Sequence, residues 1–239
     1  MQIGIITAPR TDGTEYLRFT IGQLLTKDTS QEHEIRVFVD AIELPDKRVD
    51  HERVTYELAS AEQRRRVAEG GVYGTLNFCK ALRWSAEGQD IACVFEDDVE
   101  LARDWAVKAL ALCEVSRKLA KGYVLTLHHF WRTLADFTTC GSAGGVKLMR
   151  RRDPRKFVGG QGLMMPSACA VALADALEKG MLLGQEHRRD YVMDVGVATV
   201  TMQQGWGMFT PHPCLLSHVG NVSCVYPGRE PLRTWFYVG

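Results

Sequence analysis

Residues 91–98 read Ile91-Ala92-Cys93-Val94-Phe95-Glu96-Asp97-Asp98, an apolar run that ends abruptly in three carboxylates. A short continuous apolar run predicts a strand that is buried on both faces, because a half-buried strand would alternate apolar and polar residues. Adjacent carboxylates concentrate negative charge that a cation would stabilise, and hard oxygen ligands suit Mg²⁺ or Mn²⁺. The simpler alternative, a solvated acidic turn without a ligand, fits the triplet equally well.

Strands and helices alternate on either side of this stretch. Apolar runs predict the strands, and amphipathic spacing predicts the helices. The predicted strands are Ile3–Thr7, Ile35–Val39, Ile91–Phe95 and Tyr123–Leu127, and the predicted helices are Thr14–Leu25, Gly74–Ala86 and Asp104–Leu119. This alternation predicts an α/β layered sheet, in which ligands bind beyond the carboxyl ends of the strands. The charged stretch Asp46–Arg66 is interpreted as a solvated loop and helix.

Length and composition bound the class of protein. The 239 residues are 46% hydrophobic and 24% charged, which excludes disordered, collagen-like and coiled-coil chains. We expect one domain that spans residues 1–239. The 29 basic residues balance 29 acidic ones, so net charge does not decide whether a partner is a polyanion.

Cellular location is predicted from the cysteines and the apolar runs. The seven cysteines include no C-x-x-C pair, which is typical of reduced intracellular thiols. The sequence begins with a predicted strand rather than a signal peptide, and no apolar run approaches the ~20 residues that span a bilayer. We therefore expect a cytoplasmic protein.

The C-terminal third adds two carboxylates and a histidine. Asp190 and Asp194 are four residues apart, so they share a face if this segment is helical, although Asp190 also suits a helix N-cap. His218 follows an apolar run and shortly precedes Gly220. A histidine in such a place is a candidate metal ligand, and its alternative role is purely structural.

Taken together, these blocks resemble the nucleotide-sugar glycosyltransferases of the GT-A fold. The segments 189–194 and 209–223 most resemble the N-acetylglucosaminyltransferase-IV type. The stretches that carry the resemblance are T-A-P-R (7–10), E-Y-L-R-F-T-I-G-Q-L-L (15–25), F-E-D-D-V (95–99), G-G-Q-G-L-M-M (159–165), R-D-Y-V-M-D (189–194) and F-T-P-H-P-C-L-L-S-H-V-G-N-V-S (209–223). The resemblance implies an α/β domain of GT-A type, with a Rossmann-like mixed sheet flanked by helices. It also implies a nucleotide-sugar-binding half (1–130) and an acceptor-side half (131–239) within that single domain.

The resemblance also implies a role for each motif. Asp98 and His218 would bind a Mn²⁺ or Mg²⁺ ion that bridges the diphosphate of a nucleoside-diphosphate sugar, for which UDP is the expected carrier. Asp190, or alternatively Asp194, would be the general base of an inverting hexosyl or N-acetylhexosaminyl transfer. Predicted donor contacts are Thr7, Pro9 and Arg10 around the nucleotide, Asp40 at the base or ribose, Glu96 and Asp97 at the ribose and sugar, and Gly159, Gly160 and Gly162 beside the sugar.

Basic residues cluster between Lys147 and Lys156, where six lysines and arginines accompany only one acidic residue, Asp153. The segment is interpreted as a solvated basic loop or, if it flanks the acceptor cleft, as a surface for an anionic acceptor. Such an acceptor is DNA carrying a hydroxymethylpyrimidine, or a phosphorylated or lipid-linked saccharide. Trp206 is either a stacking surface for that acceptor or part of the core.

Two other functions stay open on the sequence alone. One is a metal-dependent nuclease or phosphohydrolase that uses the same carboxylates and His218. The other is a non-catalytic nucleotide-binding module, which would not need Asp190. The glycine-rich stretch and the T-A-P-R segment favour the transferase, because a hydrolase does not require them.

Overall fold

The computed structural model describes residues 1–8, 15–27, 32–45, 48–63, 65, 74–128, 135–157, 160–181 and 193–220. The strands are β1 (Gln2–Thr7), β2 (Glu34–Val39), β3 (Val54–Leu58), β4 (Ile91–Glu96), β5 (Val99–Leu101), β6 (Tyr123–Thr126), β7 (Phe137–Ala143), β8 (Val146–Arg151), β9 (Gly162–Pro166), β10 (Gly207–His212) and β11 (Leu216–His218). The helices used below are α1 (Tyr16–Thr26), α2 (Thr75–Ala86), α3 (Trp105–Leu119), α4 (Ser167–Met181) and α5 (Met193–Gln203).

Nine strands form one mixed sheet in the order β3-β2-β1-β4-β9-β6-β10-β8-β7. The first four strands are parallel, and β9 runs antiparallel between β4 and β6. Strand β10 is parallel to β6, and β8 and β7 complete the sheet as an antiparallel hairpin. A second, two-stranded sheet pairs β5 with β11. The architecture is therefore α/β, as predicted, with a large mixed sheet that is compatible with a Rossmann-like arrangement.

Each face of the large sheet carries its own hydrophobic core. Cys93 and Phe95 of β4 pack on the face covered by α1 and α3, whereas Ala92 and Val94 pack on the face covered by α2, α4 and α5. All four side chains are buried. The prediction of a strand buried on both faces is confirmed, and so is the reason for its continuous apolar run.

The predicted strands and helices around β4 are confirmed within one or two residues at their described ends, but two charged stretches were interpreted wrongly. Asp46–Arg66 contains strand β3, whose Glu57 forms an ion pair with Lys80 of α2 at 2.9 Å. An edge strand tolerates such charges, because its outer side faces solvent. Because of these charges, β3 cannot be predicted from hydrophobicity alone.

The basic segment is also not a solvated loop, because Val146–Arg151 forms strand β8. Gly144 and Gly145 both have positive φ, at 56° and 77°, and connect β7 to β8 as a two-residue hairpin turn. Glycine adopts this conformation without steric cost. Arg151 is only 4% exposed, and its guanidinium lies 4.4 Å from the centroid of the Phe137 ring. The strand therefore buries one of the basic side chains that the sequence assigned to solvent.

No helix in the described part of the chain is long and apolar enough to cross a membrane.

Three deeply buried cysteines illustrate how the core controls side-chain chemistry. Cys79, Cys93 and Cys113 are fully buried free thiols. Burial raises the pKa of Cys79 and of Cys93 well above its ordinary value, and it raises the pKa of Cys113 to about 12. These groups therefore stay protonated at neutral and mildly alkaline pH, where the thiolate is the reactive form.

We expect these three thiols to resist alkylation by iodoacetamide at pH 8.5 in the native protein and to react fully in denaturant. Cys140 is half-buried and is the internal comparison, so it should react before these three thiols under native conditions. Mass spectrometry of tryptic peptides measures the order of labelling. Labelling of Cys93 as fast as that of Cys140 in the folded protein would contradict the packing described here.

Candidate metal centre

The large sheet has a topological switch point between β1 and β4. From β1 the chain continues outward to β2 and β3, and then β4 returns to the opposite side of β1. In open α/β sheets, the loops at such a point separate and leave a crevice beyond the carboxyl ends of the strands. Thr7 ends β1 there, and Glu96 ends β4 beside it. The acidic triplet therefore occupies the position where this class of sheet binds ligands.

The three carboxylates of the triplet divide into two groups at the bend that follows β4. Asp97 is turned towards β1, where the Thr7 hydroxyl donates to its Oδ2 at 2.5 Å. Glu96 and Asp98 instead converge with His218, and the three residues each place a potential ligand atom within 4.8 Å of the others. We call Glu96, Asp98 and His218 the triad.

The donor set of the triad suits a hard divalent cation. His218 Nε2 lies 3.1 Å from Asp98 Oδ2, which is the spacing of a hydrogen bond and also that of two neighbouring ligands. An octahedral ion with bonds of about 2.1 Å separates adjacent ligand atoms by about 3 Å. Two carboxylates and an imidazole could together hold a divalent metal ion, because carboxylates suit Mg²⁺ and Mn²⁺ and imidazole binds transition-metal ions.

Two parts of the fold bring His218 and Asp98 together. Strand β11 pairs with β5, and in this register His218 lies opposite Val99, the residue that follows Asp98. The N–H of Val219 then donates to the Asp98 carbonyl at 2.9 Å. The acidic turn and the histidine are thus joined by backbone hydrogen bonds, even though 120 residues separate them in the sequence.

Buried polar side chains of α1 hold the acidic turn in place through hydrogen bonds to its backbone. The Thr20 hydroxyl donates to the Asp97 carbonyl at 2.8 Å and accepts from the Val99 N–H at 3.1 Å. The Gln23 amide donates to the Val99 carbonyl at 3.1 Å and accepts from the Leu101 N–H at 2.9 Å. These bonds satisfy backbone groups that β5 would otherwise leave unpaired, and they hold Asp98 in position.

Gly220 closes over the triad. A Cβ atom built on Gly220 would overlap Asp98 Oδ2 and would lie 3.0 Å from His218 Nε2. Only a residue without a side chain allows the backbone to approach these two groups so closely.

The glycine-rich stretch contributes one glycine to the crevice and one to the core. The N–H of Gly160 donates to Asp194 Oδ1 at 2.9 Å, and a Cβ at Gly160 would lie 3.9 Å from Glu96 Oε1. Asp194 is therefore close to the triad, at the start of α5. A Cβ at Gly162 would overlap Leu216 and lie 3.0 Å from Phe95. The space around Gly162 is thus filled by core side chains, so packing by itself requires a glycine here, and the predicted contact of Gly162 with a donor sugar stays a prediction.

Of the other residues predicted to contact the donor, some belong to the part of the chain that the structure describes and others do not. Asp40 is 4% exposed, and its N–H donates to the Thr7 carbonyl at 2.9 Å, so it lies at the same edge of the sheet as Thr7. Four of the predicted site residues lie outside the described residues: Pro9, Arg10, Gly159 and Asp190.

Sequence reasoning missed Glu96 as a partner of Asp98, the covering role of Gly220, and the support from α1. The first could have been found by treating E-D-D as extended, since the outer two residues of an extended triplet share a side, although Asp97 and Asp98 lie in a bend after β4. The roles of Gly220, Thr20 and Gln23 depend on contacts between segments far apart in the sequence, which no local pattern encodes.

The chain matches no known protein-family model, and no curated protein matches it.

Proposed function

We propose that the protein is a divalent-metal-dependent glycosyltransferase that moves a sugar from a nucleoside-diphosphate sugar to an acceptor hydroxyl. The observation that carries the proposal is the convergence of Glu96, Asp98 and His218 at the switch point of an α/β sheet. Switch-point crevices bind nucleotides in many α/β proteins, and a diphosphate needs a cation to offset its charge. The mixed sheet and the resemblance to GT-A glycosyltransferases support the same function.

The proposed residues would act on different parts of the donor. Glu96, Asp98 and His218 would hold the ion, which would neutralise the charge that develops on the leaving diphosphate. Thr7 ends the neighbouring strand, beside the position proposed for the nucleotide. The Thr7 hydroxyl donates to Asp97 and so keeps that carboxylate turned away from the triad. Glu96 and Asp98 would then be the two acidic residues that face the ion.

The transfer itself forms one bond and breaks another. The acceptor oxygen bonds to the anomeric carbon as the bond from that carbon to the diphosphate oxygen breaks, and the electron pair leaves with the nucleoside diphosphate. The proton of the acceptor hydroxyl passes to a carboxylate on the opposite side of the sugar. Asp190 and Asp194 are the candidates for this base. Asp194 is close to Glu96 but is bound by the Gly160 N–H, which suits a residue that shapes the sugar side of the crevice.

Replacing Asp98 with asparagine tests the proposal, because the change keeps the shape of the side chain and removes the charge. We expect Asp98→Asn to weaken Mn²⁺-dependent binding of UDP by at least about tenfold, since a lost ligand costs no less than a lost supporting group. Isothermal titration calorimetry with UDP, with and without Mn²⁺, measures the loss. The matched control is Asp104→Asn, at an exposed residue with a φ of 55° that asparagine tolerates. Equal Mn²⁺-dependent affinity in wild type and Asp98→Asn would contradict the proposal.

The hydrolase and the binding module are distinguished by the products formed from a panel of nucleoside-diphosphate sugars in ¹⁸O-labelled water. Slow hydrolysis by a transferase breaks the bond at the anomeric carbon, so the label enters the sugar. A phosphohydrolase attacks phosphorus, so the label enters a phosphate. A binding module shows metal-dependent binding and no turnover with any member of the panel.

A further inference from the structure

Basic residues are concentrated in two parts of the chain that are neighbours in the fold. Residues 103–121, which contain α3, and residues 136–152, which contain the β7–β8 hairpin, together hold nine lysines and arginines but only three aspartates and glutamates. The whole chain has 29 of each kind, so the rest of the protein carries a matching excess of negative charge. Such a separation of charge indicates a surface for a polyanion, which the net charge alone does not reveal.

Helix α3 packs directly against the hairpin. A Cβ atom at Gly141 of β7 would lie 2.8 Å from a methyl carbon of Val115, and a Cβ at Gly144 in the hairpin turn would lie 3.5 Å from the side chain of Lys108. Lys118 follows Val115 by three residues, so it lies on the same side of α3. This side of the helix therefore faces the hairpin and carries lysines at both of its ends.

The hairpin directs two arginines to the sheet face that α3 covers. Arg150 pairs with Phe209 of β10, which belongs to the core under α3, and its guanidinium lies 6.0 Å from the centroid of the Phe209 ring. Arg152 lies on the same side, because its Nε donates at 2.9 Å to the hydroxyl of Thr138, the residue that pairs with Arg150. Arg151 points to the opposite face and takes no part in this surface.

The C-terminal end of α3 brings further cations to the same end of the sheet. Ala120, which follows α3, lies 3.1 Å from the position of a Cβ at Gly207, two residues before Phe209 on β10. The last turn of α3 and the residues after it are therefore close to Arg150. We call the five exposed cations of this region the basic surface: Arg117, Lys118, Lys121, Arg150 and Arg152.

The acidic residues of these segments do not balance the basic surface. Glu114 forms an ion pair with Arg117 at 3.6 Å, one turn earlier on α3. Asp136 is half-buried at the base of the hairpin; burial lowers the pKa of the Arg151 guanidinium, and the nearby charge of Asp136 opposes that shift. Asp104 precedes α3 at its other end. Five cations therefore lie beside at most two carboxylates, and the surface has an excess of positive charge.

We propose that the basic surface binds the phosphate backbone of a nucleic acid. Lysine, arginine and threonine side chains are common partners of phosphate oxygens in nucleic-acid-binding proteins, and these contacts require no particular base sequence. The surface offers all three, since the Thr138 hydroxyl lies between the two arginines of the hairpin. Exposed cations on a helix and an adjacent hairpin can contact several successive phosphates at once.

An anionic membrane would be attracted by the same charge, but it also requires apolar side chains that enter the lipid. The large exposed apolar residues of α3 are Val107 and Leu119, which are about 18 Å apart along the helix axis. Apolar residues that are scattered singly in this way are ordinary on protein surfaces. The chemistry of the surface therefore favours a nucleic acid over a membrane.

The test compares two variants that lose the same amount of charge. The test variant combines three substitutions on the basic surface: Lys118→Gln, Lys121→Gln and Arg150→Gln. The control variant combines three substitutions at exposed cations outside residues 103–121 and 136–152: Arg48→Gln, Arg65→Gln and Lys179→Gln. Arg152 is left unchanged because its hydrogen bond to Thr138 supports the hairpin.

Fluorescence anisotropy of a labelled short DNA duplex, and of one of its single strands, measures binding between about 50 and 200 mM salt. We expect the wild type to bind with an affinity that falls steeply as salt rises. The test variant should bind at least about tenfold more weakly at the lowest salt. Its slope of log affinity against log salt should be shallower by about 2–3, since each lost phosphate contact removes about 0.9. The control variant should keep both the affinity and the slope.

The assays contain EDTA and no nucleotide sugar, so the triad takes no part in them and the result does not depend on the proposed glycosyltransferase function. Tighter binding of the duplex identifies a double-stranded partner, and tighter binding of the single strand identifies a single-stranded one. Nucleic-acid binding at this surface is ruled out if neither probe binds the wild type at the lowest salt, or if the control variant loses as much affinity as the test variant. It is also ruled out if phosphatidylserine vesicles bind the wild type more tightly than both probes do.

Discussion

Replacing Gly220 with alanine is expected to weaken metal binding strongly while leaving all three residues of the triad in the chain. The added methyl group would overlap Asp98 Oδ2 and press on His218 Nε2. Asp98 is only 5% exposed, so its carboxylate has little room to move away from the added methyl group. We expect a fall in Mn²⁺ affinity of about 10- to 100-fold, as when a group that positions a ligand is lost.

Titration of Mn²⁺ followed by electron paramagnetic resonance measures this loss in the absence of any nucleotide. Gly22→Ala is the control, since a Cβ at Gly22 meets nothing within 4 Å and alanine is favoured inside a helix. Undiminished Mn²⁺ affinity in Gly220→Ala would show that this backbone segment does not cover the ion.

Replacing Gly162 with alanine is expected to lower both the free energy of unfolding and the Mn²⁺ affinity of the triad. The new methyl group would displace Leu216 and Phe95, and both side chains are fully buried. Overpacking a filled core typically costs about 1–3 kcal/mol of unfolding free energy. Leu216 begins strand β11 and His218 ends it, so a shift of Leu216 is transmitted to the histidine of the triad.

Chemical denaturation gives the loss of unfolding free energy, and the same Mn²⁺ titration gives the effect on the metal centre. A loss of stability with unchanged Mn²⁺ affinity would show that β11 absorbs the strain without moving His218. Stability equal to that of the wild type would contradict the packing around Gly162.

The sequence predicted best where one property dominates a segment. The apolar run of β4 has to be a buried strand, and its polar end has to lie at the edge of the sheet, so the place of Glu96 and Asp98 follows from local pattern alone. Helices α2 and α3 were equally clear from their spacing. Segments with mixed signals were misread, because the charges of β3 and β8 belong to strands near the sheet edges rather than to loops.

The candidate site was predictable only in part, because its geometry depends on contacts between distant segments. His218 was selected as a candidate, but its distance from Asp98 is set by the pairing of β11 with β5. The fit of Gly162 against Leu216 is likewise a property of two strands that meet only in the folded chain. A motif can therefore identify a candidate residue, but the residues that it contacts are determined by the tertiary structure.

The position of β9 has a consequence for how the protein is made. Strand β9 lies between β4 and β6, although both of those strands precede it in the sequence. On the ribosome, β4 and β6 cannot join the same sheet until β9, which ends at Pro166, has been synthesised. Until then each presents an unpaired edge, which is the feature of nascent chains that most invites aggregation. The centre of the sheet is therefore completed only after β9 emerges, so the residues up to the end of β6 cannot form it by themselves as the ribosome releases them.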